Sequence, residues 1–223
     1  MNWAVERHVG SATTFHGRAM PDPVRRAVWW FEVDRPAVAL GSTQKPEVID
    51  SDRAEAAGVE VVRRRSGGGA VWLAPGVVTW VDVLLPADDP LWHDDVSRSA
   101  RWLGHRWVEA LGDLGIEGLV VHDGPMVRSV HSDLICFAGM APGEVTLDGA
   151  KAVGISQRRT RRGARFQCAV LHEWNPQPLA DLLAMAPVDR HRMVSEVAAA
   201  GVGIGAVPPS AVVAALMARL RSG

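Results

Sequence analysis

The sequence predicts an α/β (α+β) fold, a mixed, largely antiparallel sheet with helices packed on it. Three observations carry that expectation. Short runs rich in Val, Trp, Phe and Leu recur between Gly, Pro and Asp punctuation from residue 28 to residue 171. The stretch 96–114 repeats Leu103, Trp107, Ala110, Leu111 and Leu114 at threes and fours, the period of one helix face. Asp148-Gly149 stands between two strand-like runs and has the composition of a tight hairpin turn with positive φ at both residues.

Taken in order, residues 1–26 give no clear assignment, because Gly10-Ser11 and Pro21-Asp22-Pro23 interrupt any helix there. Strands are expected at 28–33 and 37–40, then a loop from Gly41 to Pro46 and a short helix at 47–57 stopped by Gly58. Strands at 59–62, 70–73 and 77–85 follow and are expected to neighbour one another around the glycines, antiparallel. The helix at 96–114 ends at Gly115, with Asp88, Asp89, Asp94 and Asp95 read as negative charge near its N-terminus rather than as a metal site. Strands are expected at 119–121, 132–139, 144–147, 151–158 and 166–171, with Arg161-Arg162-Gly163 a second hairpin tip. The tail reads as helices at 179–185, 190–200 and 210–220, the last with Ser210 as N-cap.

With 223 residues, one domain is the default and the core is substantial. A net charge of −1 provides no global attraction to nucleic acid or membrane, so neither is expected as a partner. Positive charge is local, at Arg63 to Arg65 and again at Arg158, Arg159, Arg161, Arg162 and Arg165. Two cysteines, Cys136 and Cys168, make no disulfide framework. With no signal-like N-terminus and no run of about 18 apolar residues, a cytoplasmic protein with reduced thiols is expected.

The chemistry is concentrated in Arg63-Arg64-Arg65-Ser66-Gly67-Gly68-Gly69-Ala70-Val71. Three consecutive glycines are costly to order, and they fit a place where backbone lies against something else with no side chain between. Arginine forks beside bare amides are suited to an anion. The run resembles the RRxSGGGAV signature of the lipoate–protein ligase A family, within the biotin/lipoate ligase and octanoyltransferase superfamily. Arg63, Arg64, Ser66, Gly67, Gly68, Gly69, Ala70 and Val71 match it. Further matches are Gly41, Gln44 and Pro46 in a GxxQNP-like loop, and Asp133-Leu134 in an N-D-L segment. Gly149, Lys151, Gly154 and Arg158 match G-x-K-x-x-G-x-A-x-R, with Ser156 in the alanine place. Gln167-Cys168 stand where the family has histidines.

The resemblance implies a class II biotin/lipoate ligase-like catalytic domain over residues 1–223, with no accessory domain evident after it. It implies that the glycine loop, Gln44, Asp133, Val153, Gly154 and Ser156 bind an acyl-adenylate, with Val71, Trp72 and Val153 as acyl walls. Lys151 would stabilise growing phosphate charge, and Lys151→Ala would abolish transfer with the fold intact. The leading reading is a lipoate–protein ligase using lipoate, ATP and Mg²⁺ through lipoyl-AMP. Its acceptors would be lipoyl domains or a glycine cleavage H-type protein, with a separate accessory chain as a further partner. The alternative is an octanoyltransferase that needs no cofactor and takes octanoyl from an acyl carrier protein on Cys136. That thiol would be activated by a nearby cation, with Lys151 the candidate. A third reading is a non-catalytic acyl- or nucleotide-binding protein on the same scaffold. No protein-held metal site is expected.

Overall fold

The computed structural model describes residues 3–222, and it is a two-sheet α/β architecture. The larger sheet has seven strands in the order β1 (Ala4–Gly10), β2 (Ala27–Val33), β6 (Val78–Pro86), β10 (Gly163–Leu171), β9 (Ala150–Thr160), β8 (Val145–Leu147) and β7 (Leu119–Val121). Only β1 and β2 pair in parallel; the other neighbours in this sheet are antiparallel. The smaller sheet orders β4 (Glu60–Arg63), β3 (Ala37–Leu40) and β5 (Val71–Leu73).

One face of the large sheet is closed by α3 (Arg101–Gly112) and α6 (Pro209–Arg221). Leu103, Trp107, Ala110 and Leu111 of α3, with Val212, Leu216 and Met217 of α6, share a core with Val81, Val83, Val153, Phe166 and Val170. The other face is covered by the small sheet and by α1 (Ala12–Gly17). Ala37, Ala39, Val71 and Leu73 there meet Trp29, Phe31 and Trp80, with Phe15 and Phe137 filling between. A third apolar cluster ties the outer side of the small sheet to α4 (Gln177–Leu182) and α5 (Pro187–Val197).

Several expectations change. The unassigned N-terminal region holds β1 and α1, where Ser11 caps the helix by accepting from the Thr14 amide. The helix expected at 47–57 is a 3-10 turn, Pro46–Val48, followed by α2 (Ser51–Ala56). Asp50 separates them, because its carboxylate caps α2 by accepting from the Arg53 amide. The helix expected from Val96 begins only at Arg101. Asp95 accepts from both the amide and hydroxyl of Ser97, and Ser99 donates to the Val96 carbonyl, so these side chains fold residues 95–100 into turns. The last helix starts at Pro209, so Ser210 lies inside it and is not the cap.

The strands around the glycines are not antiparallel neighbours. β4 and β5 flank β3, the first in parallel and the second antiparallel, so the glycine loop crosses over β3 instead of forming a hairpin. Residues 132–139 are turns and a 3-10 segment, Cys136–Ala138, with no strand. The hairpin at Asp148-Gly149 is as expected, with φ of 51° and 87°.

Candidate active site between the two sheets

The glycine loop crosses from β4 to β5 and is pressed against two other segments. A Cβ on Gly69 would fall 2.7 Å from the Ile135 backbone, and one on Gly41 would fall 1.8 Å from the Gly68 carbonyl oxygen. Only glycine fits either place without moving backbone. The close approach lets Ala70 pair with the following segment: its amide donates to Leu134 O at 2.8 Å, and its carbonyl accepts from the Cys136 amide at 2.9 Å.

Arg64 is buried and holds the loop from within. Its Nη2 donates to Gly67 O at 2.6 Å and Gly69 O at 2.9 Å, and it also lies 3.7 Å from Cys136 Sγ. It is therefore a brace for the loop rather than an open fork for an anion, while Arg63 and Arg65 are exposed and line neither cavity described below. Among the described residues, the amides of Gly67, Gly68 and Gly69 are not engaged in backbone hydrogen bonds. What the run leaves open is therefore its amides rather than the Arg64 fork.

Lys151 reaches the same place from β9, eighty-odd positions later in the chain. Period-two alternation would put it on the face of Val153. The register with β8 shifts between Val145 and Thr146, so one extra β9 residue is accommodated there. This bulge turns Lys151 onto the face of Gly154, whose missing Cβ would lie 3.3 Å from Lys151 Cε. Val153 is consequently in the core beneath the sheet and is no acyl wall.

Lys151 is almost wholly buried, with 1% of its surface exposed. Its ammonium pairs with Glu144 at 2.7 Å and donates to Cys136 O at 3.1 Å and Gly139 O at 3.2 Å. All three ammonium protons are therefore used. Glu144 is equally buried; its other contacts are the amides of Ala141 at 2.7 Å and Ile155 at 3.1 Å. Sequence reasoning missed Glu144, which looks like an ordinary first residue of a strand. The signal available was an acid seven residues before the lysine across a tight hairpin.

Two adjoining cavities result. The first, about 220 Å³, is lined by Gly67, Gly68, Gly69, Lys151, Ser132 and Ser156 among others. The second, about 40 Å³, lies between the sheets, walled by Ala39, Val71, Leu73, Trp80 and Ala169. Cys136, Ile155 and Ser156 line both, so the thiol stands at their junction. Its Sγ is met by Arg64 and not by Lys151, which grips the carbonyl of the same residue.

Other expected site residues are placed elsewhere. Trp72 alternates away from Val71 and packs toward the outer helices. Gln44 accepts from the Gly41 amide at 2.9 Å and donates to Asp133 O at 2.9 Å, tying two loops together outside both cavities. The Asp133 carboxylate is 88% exposed and pairs with Arg128. At the β10 positions where the family has histidines, Gln167 and Cys168 both line the inter-sheet cavity, and Cys168 is fully buried, which pushes its thiol well above the usual range. An imidazole does line the cavity, but from α1: His16, missed by sequence reasoning because residues 1–26 had no assigned structure. Its pKa falls to about 3, from burial first and then from the charges of Arg64 and Arg165.

Among the described residues no group of three or more His, Cys, Asp or Glu is arranged to hold a metal ion, and no helix is long and apolar enough to cross a membrane.

Comparison with known proteins gives a consistent picture. The sequence model described as the lipoyl protein ligase A/B catalytic domain matches residues 1–204. Octanoyltransferase LipM of Clostridioides difficile is 27% identical over 160 residues, covering 71% of this chain and 56% of that protein. The namesake of Carboxydothermus hydrogenoformans is 34% identical over 142 residues, 63% of this chain and 49% of that protein. The chain thus spans about half the length of the curated relatives it matches. Among solved structures, the bipartite lipoate protein ligase from Thermoplasma acidophilum superposes with a TM-score of 0.72 at 16% identity, covering 99% of this chain and 82% of that one. A lipoate-protein ligase A bound with ATP gives 0.67 at 17% identity, covering 99% and 83%. These structural likenesses establish the fold.

Proposed function

The chain belongs to the lipoyl protein ligase A/B catalytic-domain family, and from that membership we propose that it is an octanoyltransferase working through Cys136. The observation that carries this reading is the place of the thiol. Cys136 stands at the junction of the inter-sheet cavity and the cavity under the glycine loop, with a guanidinium against its Sγ and both of its backbone polar groups held. Both curated relatives described above are octanoyltransferases.

The reaction has two balanced steps. Cys136 Sγ attacks the thioester carbonyl of an octanoyl carrier protein; the new S–C bond forms as the carrier's thiol leaves with the proton. A lysine amine of a lipoyl domain or H-type protein then attacks the acyl-cysteine, forming the amide and returning the Cys136 thiol. In this scheme Lys151 and Ala70 hold the Cys136 peptide in place, and the octanoyl chain occupies the space between the sheets. That space is small in the present arrangement, so its walls part when the chain enters.

The ligase reading keeps one specific support: the uncommitted amides of Gly67 to Gly69, which line the larger cavity, are suited to a phosphate. ATP would bind there and supply activation of lipoate as lipoyl-AMP, with Mg²⁺ held mainly by phosphate oxygens. Incubation with octanoyl carrier protein, and separately with lipoate, ATP and Mg²⁺, distinguishes the two. The transferase reading expects an octanoyl adduct by mass spectrometry on the wild type and none on Cys136→Ser, without ATP. AMP release with unimpaired transfer by Cys136→Ser would replace it with the ligase reading. Saturable acyl binding with neither product would leave a non-catalytic binder.

A further inference from the structure

A hydrogen-bond chain of one direction runs from the glycine loop to His16. Ser66 Oγ–H donates to Gln167 Oε1 at 2.9 Å, leaving the Ser156 hydroxyl to donate to Ser66 Oγ at 3.0 Å. With Oε1 so engaged, the Gln167 amide nitrogen donates to His16 Nδ1 at 3.3 Å. With Nδ1 accepting, a neutral imidazole carries its proton on Nε2.

That Nε2 is buried and has no partner among the described residues. His16 is 7% exposed, its ring lies against Trp80 with centroids 4.5 Å apart, and it lines a cavity whose walls include the apolar side chains of Ala39, Val71, Leu73 and Ala169. The second orphan polar atom on this cavity's lining residues, Arg64 Nε, is also a donor. A buried donor without an acceptor is a standing cost that a ligand can remove if it brings an acceptor. A methylene chain cannot.

We propose that His16 is a discriminating residue of the inter-sheet cavity: octanoyl enters with the His16 Nε2–H still unpartnered, and an acyl chain of equal length carrying an ether or thioether acceptor for that donor binds more tightly. The inference rests on the reading of this cavity as the acyl site. The test is calorimetric titration of the full chain with octanoate and with octanoates in which one oxygen or sulfur replaces each methylene in turn. In the wild type, at least one substituted chain binds about tenfold tighter than octanoate. In His16→Phe that preference falls to about one while octanoate binds at least as well. Gln167→Leu, which keeps the ring but frees Nδ1, shrinks the preference too and serves if His16→Phe does not fold. Equal affinities in the wild type, or a preference that survives in the folded variants, overturns the role of His16 and leaves the acyl cavity standing. Failure of every chain to bind the wild type removes both readings.

Discussion

Lys151 shows how much a single residue's surroundings change its meaning. The sequence motif led to an expectation that Lys151→Ala would remove activity and spare the fold. The side chain is instead buried against Glu144, so alanine leaves a buried carboxylate with only its two amide donors. Breaking such a pair costs about 3–5 kcal/mol. Lys151→Ala is therefore expected to lose both transfer and stability in chemical denaturation. Transfer retained by this variant would take Lys151 out of the reaction.

His16 predicts a pH dependence at the same scale. Its folded pKa, about 3, is below the unfolded value of 6.5, so the unfolded chain binds the proton more readily between them. The contribution of the neutral ring is complete above pH 6.5 and is lost as pH falls from there toward 3. The slope attributable to this group approaches about 1.4 kcal/mol per pH unit. Denaturation of the wild type and His16→Phe between pH 7 and 4.5 measures the difference. Parallel curves would show that His16 is not held neutral.

At the scale of elements, the glycine loop and the 3-10 segment at Cys136–Ala138 work as a pair. The loop's approach to Ile135 is what places the amide of Cys136 on Ala70 O. Gly69→Ala is expected to push these segments apart and to slow acylation of Cys136 by about 100-fold, the order expected for a displaced reacting group. Acylation rates by mass spectrometry test this; an unchanged rate would mean that the contact does not position the thiol. The β9 bulge is the other positioning device, since it moves Lys151 onto the cavity face while Val153 stays in the core.

At the scale of the molecule, a buried pair joins the two faces of the site. Arg165 of β10 pairs with Asp82 of β6, and its remaining nitrogens donate to Arg18 O at 2.7 Å and Phe15 O at 2.8 Å. It thereby holds α1, and with it His16, against the large sheet. Asp82→Ala strands that guanidinium without its counter-charge and is expected to lower unfolding stability by about 3–5 kcal/mol. Loss below about 1 kcal/mol would mean that the carbonyls alone satisfy Arg165. Asp82 and Arg165 lie apart in sequence, with nothing in either stretch to announce a partner. Legibility divides along that line. The hairpin at Asp148-Gly149 and the apolar stripe of α3 state their conformation locally. The role of Gln44 as a tie between loops and the outward turn of Asp133 do not.

By itself the sequence determined the fold class, the glycine loop and the hairpin that carries Lys151, because turn chemistry and periodicity are properties of neighbouring residues, while the family and the expectation that loop and lysine share a cavity came from the resemblance of its motifs. Only the tertiary structure decided that Glu144 neutralises Lys151, that Arg64 rather than Lys151 meets the Cys136 thiol, and that His16 lines the cavity between the sheets. Those outcomes depend on a one-residue bulge and on contacts between segments far apart in the chain, and both are set by how the two sheets pack.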